Sequence, residues 1–358
     1  MTALSRFQNA LRQTDAEGAI ISSPLNIRYL CGFDYTDGYL VIFDKHAYLL
    51  ADFRYIEAAR SATKEFEVIM PKADMLGAIK DLAQKHGVSS MAIEEADVTI
   101  RDFSKMKDAL EGISLSSGVS EILTRMRTVK TPEELNIIAQ AQSITDAAFE
   151  HILGFITPER TEREIALELE FFMRGHGAES VAFDTIAVSG AASSLPHGVP
   201  SDKRLSRGFL TMDFGAKFNG YCSDMTRTVV IGKADPQMKQ LYNTVLSAQL
   251  AALDGIREGM ACKEADKIAR DIIDKAGYGG CFGHSLGHGV GVYIHELPSL
   301  SPKAKDDSVL QRGNVVTVEP GIYIEGKYGC RIEDMIAIDH DGSVINFTKS
   351  SKELIEID

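Results

Sequence analysis

The sequence predicts an α/β (α+β) protein of two domains, a small N-terminal α/β unit followed by a larger unit built from a duplicated segment. Three observations predict this class. Helix-like and strand-like patterns alternate up to about residue 120, a helix-start signal at Thr131 opens a new regime, and a helix–loop–helix–strands pattern then occurs twice. A chain of 358 residues also exceeds the roughly 100 to 200 residues of one ordinary domain.

In the first unit, GAIISSP (18–24), GYLVIFD (38–44) and AYLLADF (47–53) read as strands, the last two joined closely enough for a hairpin. A helical FRYIEAARSATK, a strand FEVIMP, a helical MLGAIKDLAQKHG, a strand SMAIEE and a helical IRDFSKMKDALEG follow. Thr131-Pro-Glu-Glu134 then places a capping residue, a proline at the first helical position and acids in the first turn. The expected domains are residues 1–125 and 126–358.

One half of the second unit runs from TPEELNIIAQAQSITDAAFEHIL through ITPERTEREIALELEFFMRGHGA to LTMDFGAKFNGYCSDMTRTVVI. The other runs from DPQMKQLYNTVLSAQLAALDGI through REGMACKEADKIARDIIDKAGY to VVTVEPGIYIEGKYGCRIEDMIAI, about 100 to 110 residues later. Such a duplication is expected to place a site between its halves.

Composition narrows the function classes. No apolar run reaches the roughly 20 residues that span a bilayer, and MTALSRFQNALRQTD is an amphipathic pattern, so a soluble cytoplasmic protein without membrane partners is expected. A formal net charge of −13 argues against nucleic acid as a partner. Cys31, Cys222, Cys262, Cys281 and Cys330 are scattered, without a CxxC pair, and read as thiols rather than a disulfide or structural zinc framework.

Each half carries a pair of acids. Asp213 and Asp224 lie on strand-like runs about KFNG; a four-residue loop sets them directly opposite, and a two-residue Asn219-Gly220 turn makes them diagonal neighbours. Both registers leave them on one face. Glu319 and Glu333 sit at an even spacing about GIYIEGKYG, which permits a shared face too. Like charges on one face of a partly buried sheet are costly unless a cation offsets them.

The stretch CFGHSLGHGVGVYIHE (281–296) holds His284, His288 and His295. Its glycines argue against a helical i, i+4 ligand pair, and Val290 to Ile294 read as a strand. Alone, these histidines are ambiguous between structural and ligand roles. Beside four carboxylates, one neutral imidazole completes an oxygen-rich set for two divalent ions, suited to Mn²⁺, Co²⁺ or Fe²⁺ at least as well as Zn²⁺. The chemistry this points to is that of a dinuclear hydrolase.

Taken together, TMDFGA and GYCSDMTRT, the run ending in HGVG, the IHE after it, TVEPGIY and RIED resemble the pita-bread metallopeptidases, in the Xaa-Pro branch of aminopeptidase P and prolidase. The resemblance spans nearly the whole chain and implies a creatinase-like N-terminal domain before a pita-bread catalytic domain. It implies Asp213, Asp224, His288, Glu319 and Glu333 as ligands of two divalent ions, most often Mn²⁺, with Co²⁺, Fe²⁺ or Zn²⁺ as alternatives. His197, His284, His295 and Arg331 would line the substrate site, with Glu319 shuttling a proton and His197 and His295 assisting catalysis.

The substrates implied are peptides with proline in second position, and a homodimer is expected by the same resemblance. Tyr-Gly-Cys before Arg331 and Tyr-Ile before His295 depart from many relatives and bear on pocket shape, not on the ligands. The competing readings are a pita-bread binding module without peptidase activity, a creatinase-type amidinohydrolase and a methionine aminopeptidase. An intact ligand set opposes the first two, and the long N-terminal domain opposes the third.

Overall fold

A computed structural model describes residues 1–358, which divide into two compact units, Met1–Arg127 and Thr128–Asp358. In the first, a six-stranded sheet runs in the spatial order Glu67–Ile69, Ala47–Leu50, Tyr39–Phe43, Gly18–Ile21, Ser90–Ile93, Ser114–Ser116. The predicted hairpin is present, with Tyr39 opposite Leu50. Ile20, Val41, Leu50 and Met91 of the sheet pack with Ile79 and Met106 of the covering helices. The stretch read as strand to residue 24 ends earlier, because Ser23 caps a helix Pro24–Cys31.

The second unit repeats a helix pair and a curved sheet. Thr131 caps helix Pro132–Phe155 through a full capping box with Glu134, and Thr161 does the same for Glu162–Gly175 with Glu164. The counterparts are helices Pro236–Gly255 and Cys262–Ile273. Ile156 and Ile256, Ile165 and Ala265, and Met173 and Ile273 take matching buried places in two separate cores.

The first pair packs on a sheet ordered Glu356–Ile357, Met225–Ile231, Gly208–Phe214, Ile186–Ser189. The second packs on one ordered Glu296–Leu300, Gly287–Gly289, Val315–Val318, Asp334–Ile338, Val344–Asn346. This is the duplicated α/β unit expected from the repeated pattern, in the pita-bread arrangement that the family resemblance implied.

Register settles the alternatives left by the sequence. Phe218 faces Tyr221 and Asp213 faces Thr226 about the two-residue turn Asn219-Gly220, whose φ values are 45° and 85°. Asp213 and Asp224 are therefore diagonal neighbours. Val318 faces Asp334 and Gly321 faces Arg331, and the register continuous between them sets Glu319 opposite Glu333.

Residues 290–294, expected as a strand, form a bent loop between Gly287–Gly289 and Glu296–Leu300. The loop's polar groups are taken by other elements: Cys222 N–H donates to Gly291 O at 2.8 Å, and Tyr293 N–H donates to the Glu296 carboxylate at 3.2 Å. Backbone groups bonded to the short strand Tyr221–Cys222 and to a side chain are not free for pairing within their own sheet.

A buried cation ties the halves together. Arg227 is 1% exposed; its Nη1 donates to Glu333 O at 2.5 Å and its Nη2 to Asp334 Oδ1 at 2.9 Å and Ser350 O at 2.9 Å. Lys352 Nζ reaches Asp334 Oδ2 at 2.6 Å, so this buried carboxylate is paired twice. The strand that follows Asp224 is thereby bonded to the backbone of Glu333.

Candidate metal centre

The two hairpins and the glycine-rich strand bring the five predicted ligand residues together. Asp213, Asp224 and Glu333 each offer an oxygen, all within 4.8 Å of one another. His288 Nε2 lies 3.5 Å from Asp224 Oδ2 and 3.5 Å from Glu319 Oε1. Two ligands of one divalent ion at about 2.1 Å each stand roughly 3 to 3.5 Å apart, so this spacing fits a shared ion.

Neighbouring groups aim these ligands. His288 Nδ1 lies 3.0 Å from Gly289 O; a carbonyl only accepts, so Nδ1 carries the proton and Nε2 keeps its lone pair toward the acids. Thr226 Oγ1 donates to Glu333 at 2.6 Å, and Thr317 Oγ1 to Glu319 at 3.0 Å. Gly287 brings the histidine strand close to its neighbour, because a Cβ there would stand 1.9 Å from Thr317 O.

The electrostatics are those of a crowded acidic site. Asp224 and Glu333 are 4% and 1% exposed, and burial, then the neighbouring carboxylates, hold both well above the usual carboxylate range. Burial pushes Glu319 up to about 8, opposed by Arg331. Burial also lowers His288, leaving a neutral imidazole suited to ligation. One cation that offsets these acids is Arg331, whose Nη2 bonds Asp213 Oδ2 at 2.6 Å.

The other oxygen of Asp213, Oδ1, is buried without a hydrogen-bond partner in the protein. A buried carboxylate oxygen in that condition is costly unless a cation accepts it. Together with oxygen donors, one neutral imidazole and no thiolate, this fits a divalent ion of intermediate hardness.

The centre floors a cavity of about 630 Å³. Phe183, Ile186, Pro196, Pro200 and Ile294 give it apolar walls, and His197 stands on an exposed loop at its edge. His295 lines the cavity with its ring 4.5 Å from that of His288. His284 also lines it, but both ring nitrogens are engaged: Nδ1 donates to Ser285 O at 2.9 Å, and Nε2 meets Tyr323 Oη at 3.0 Å.

Tyr323 was not among the residues expected from the sequence. It links His284 to Arg331, whose Nη1 donates to its oxygen at 2.7 Å. Parity could have found it, since Gly321 faces Arg331 and residue 323 is then a diagonal neighbour on the same face.

Comparison with known proteins bears on this geometry. Residues 136–340, more than half of the chain, match Metallopeptidase family M24, and residues 4–129 match the Creatinase/Prolidase N-terminal domain. The chain belongs to metallopeptidase family M24. A relative described as an Xaa-Pro dipeptidase of Pyrococcus furiosus is 37% identical to this M24 chain, over 98% of it and 99% of the relative.

Among solved structures, an Xaa-Pro dipeptidase from Bacillus anthracis superposes with a TM-score of 0.94 at 41% identity, covering 99% of each chain. An X-Pro aminopeptidase from Thermotoga maritima gives 0.91 at 36% identity, covering 98% of this chain and all of that one. As an M24 metallopeptidase this chain is a peptide hydrolase that works with divalent metal ions. No helix is long and apolar enough to cross a membrane.

Proposed function

We propose that this M24 chain hydrolyses the bond between an N-terminal residue and a penultimate proline, using two divalent ions, most often Mn²⁺, held by Asp213, Asp224, His288, Glu319 and Glu333. The observation that carries the reading is the convergence of these residues beneath an apolar-walled cavity. Asp213, Asp224 and Glu333 form one set and Asp224, His288 and Glu319 another, sharing Asp224, which suits two adjacent positions. When bound, the ions supply Lewis-acid polarisation of the scissile carbonyl and acidify an attacking water.

The protein's own groups do the rest. The Glu319 carboxylate takes a proton as water oxygen bonds the carbonyl carbon, and returns it to the prolyl nitrogen as the C–N bond breaks. His295 donates to the substrate carbonyl oxygen and His197 positions the scissile segment. Phe183, Ile186 and Ile294 select the pyrrolidine ring by shape, since a prolyl nitrogen has no N–H to recognise. Through Tyr323, His284 holds Arg331 on Asp213. The reading includes a homodimer, which sizing of the active species by light scattering tests.

Arg331 is already bonded to Asp213 and Tyr323 and His295 is assigned to the scissile carbonyl, so reading a free proline carboxylate falls to His197. The expected result with added Mn²⁺ is cleavage of both Xaa-Pro and Xaa-Pro-Yaa-Zaa, the tetrapeptide at least as well as the dipeptide by kcat/KM, and Xaa-Ala at least about a hundredfold more slowly. Absence of turnover on either proline peptide with any divalent ion contradicts the proposed function.

A further inference from the structure

The motif IHE carries a residue that the metal centre does not use. Glu296 follows His295 directly, and its side chain is 3% exposed. Its Oε2 meets Lys130 Nζ at 3.1 Å, and the Lys130 side chain is 1% exposed. Its Oε1 accepts the Tyr293 N–H at 3.2 Å, so one carboxylate closes the turn that presents His295. Gly291 packs against the pair: a Cβ there would stand 2.3 Å from Glu296 Oε2 and 3.0 Å from Lys130 Cε.

Lys130 is itself firmly placed. Its N–H donates to Gly313 O at 2.8 Å, its carbonyl accepts from His340 Nε2 at 3.0 Å, and the next residue, Thr131, caps helix Pro132–Phe155. Buried ion pairs are weak contributors to stability, because desolvation consumes most of the attraction, whereas removing one partner leaves a buried charge unbalanced. An arrangement of this kind, beside a loop that must hold an imidazole next to a reacting carbonyl, is better suited to fixing geometry.

We propose that Lys130 and Glu296 are positioning residues that hold the 290–295 loop, and through it the His295 imidazole, in the geometry required for substrate. Without the ammonium, the Glu296 carboxylate loses the cation that fixes its place, its hold on the Tyr293 N–H loosens and the loop opens. The inference rests on the reading of His295 as a substrate-contacting group.

The test is a double-mutant cycle of K130M and H295A in the Mn²⁺-loaded full chain, measuring kcat and KM on an Xaa-Pro peptide with metal content checked in each variant. K130M is expected to lower kcat/KM about 10- to 100-fold, mainly through kcat, and to add no further loss in the H295A background. Hydrogen exchange in the peptide covering residues 287–297 should be at least about tenfold faster in K130M than in the wild type.

If K130M fails to fold, the neutral pair K130M/E296Q takes its place in the cycle. It is expected to fold because the two opposite charges of the pair are removed together, and to show the same non-additivity with H295A. An impaired H295A whose loss adds fully to that of K130M overturns the positioning role alone. So does a folded K130M with wild-type kinetics and exchange. A fully active H295A overturns the reading of His295, and the positioning role with it.

Discussion

Glu333→Gln is expected to lower kcat/KM about a thousandfold or more and, in the metal-free protein at pH 8, to raise the melting temperature by about 3 °C or more. The first effect follows from removing a charged donor from an oxygen set built for divalent ions. The second follows from the same charge when no ion is bound. Glu333 is 1% exposed beside Asp213, Asp224 and Glu319, and a neutral amide keeps its shape and can still accept from Thr226 while removing one repelling carboxylate.

The pH dependence has a definite sign. Burial raises Asp224, Glu319 and Glu333 above their unfolded values near 4, Glu319 to about 8. Between those limits the metal-free folded state binds more protons than the unfolded state. The contribution of these three groups to its stability is therefore fully present below about pH 4 and is lost as pH rises through their folded values, about 8 for Glu319. Metal reverses the trend, since ligation needs deprotonated carboxylates and stabilises only the folded form. Thermal melts of metal-free wild type and Glu333→Gln at pH 5 and 8 check this. A lower melting temperature for the variant at pH 8 contradicts the account of a charge-crowded centre.

Glu319→Gln removes the proton shuttle while keeping a neutral oxygen donor toward the ion. The amide retains a hydrogen-bond acceptor for Thr317 and leaves Asp213, Asp224, His288 and Glu333 in place. It cannot take a proton from water and return it to the prolyl nitrogen. Loss of a positioned general base is worth about 10²- to 10⁴-fold, so kcat should fall by that factor while KM changes little. Steady-state kinetics on an Xaa-Pro peptide at saturating Mn²⁺, with bound metal quantified, separate this from loss of the ion. A variant that binds metal normally and keeps kcat within tenfold of wild type contradicts the assigned role.

What the sequence disclosed was mainly what the chain's local geometry determines. T-P-E-E at 131–134 carries its own helix-start signals, and Asn219-Gly220, one of the two turns the sequence allowed, is the one formed, with both residues at positive φ. Side-chain parity about that turn, and about the turn at Gly326, aligned the four acids without reference to the tertiary fold. The apolar run of residues 290–294 misled for the opposite reason: its composition suggested a strand, while the Cys222 N–H, distant in sequence, and the adjacent Glu296 carboxylate hold it as a loop.

The supporting groups were hidden by the same separation. Lys130 is far from Glu296 along the chain, and Arg331 from Asp213, so their pairing is a property of the assembled halves. Arg331 was expected at the site and paired with a carboxylate; the fold identifies that carboxylate as Asp213 and adds that Tyr323 holds the guanidinium. His284, expected to contact substrate, has both nitrogens spent on Ser285 and Tyr323.

The most direct test of the central proposal is a metal titration of the stripped protein with Mn²⁺, following bound ion and hydrolysis of an Xaa-Pro peptide together. The account predicts negligible turnover before addition and activity that rises to a plateau as two ions bind per chain. Full turnover in protein shown to be free of divalent ions, or saturation of binding with no turnover at all, would contradict it.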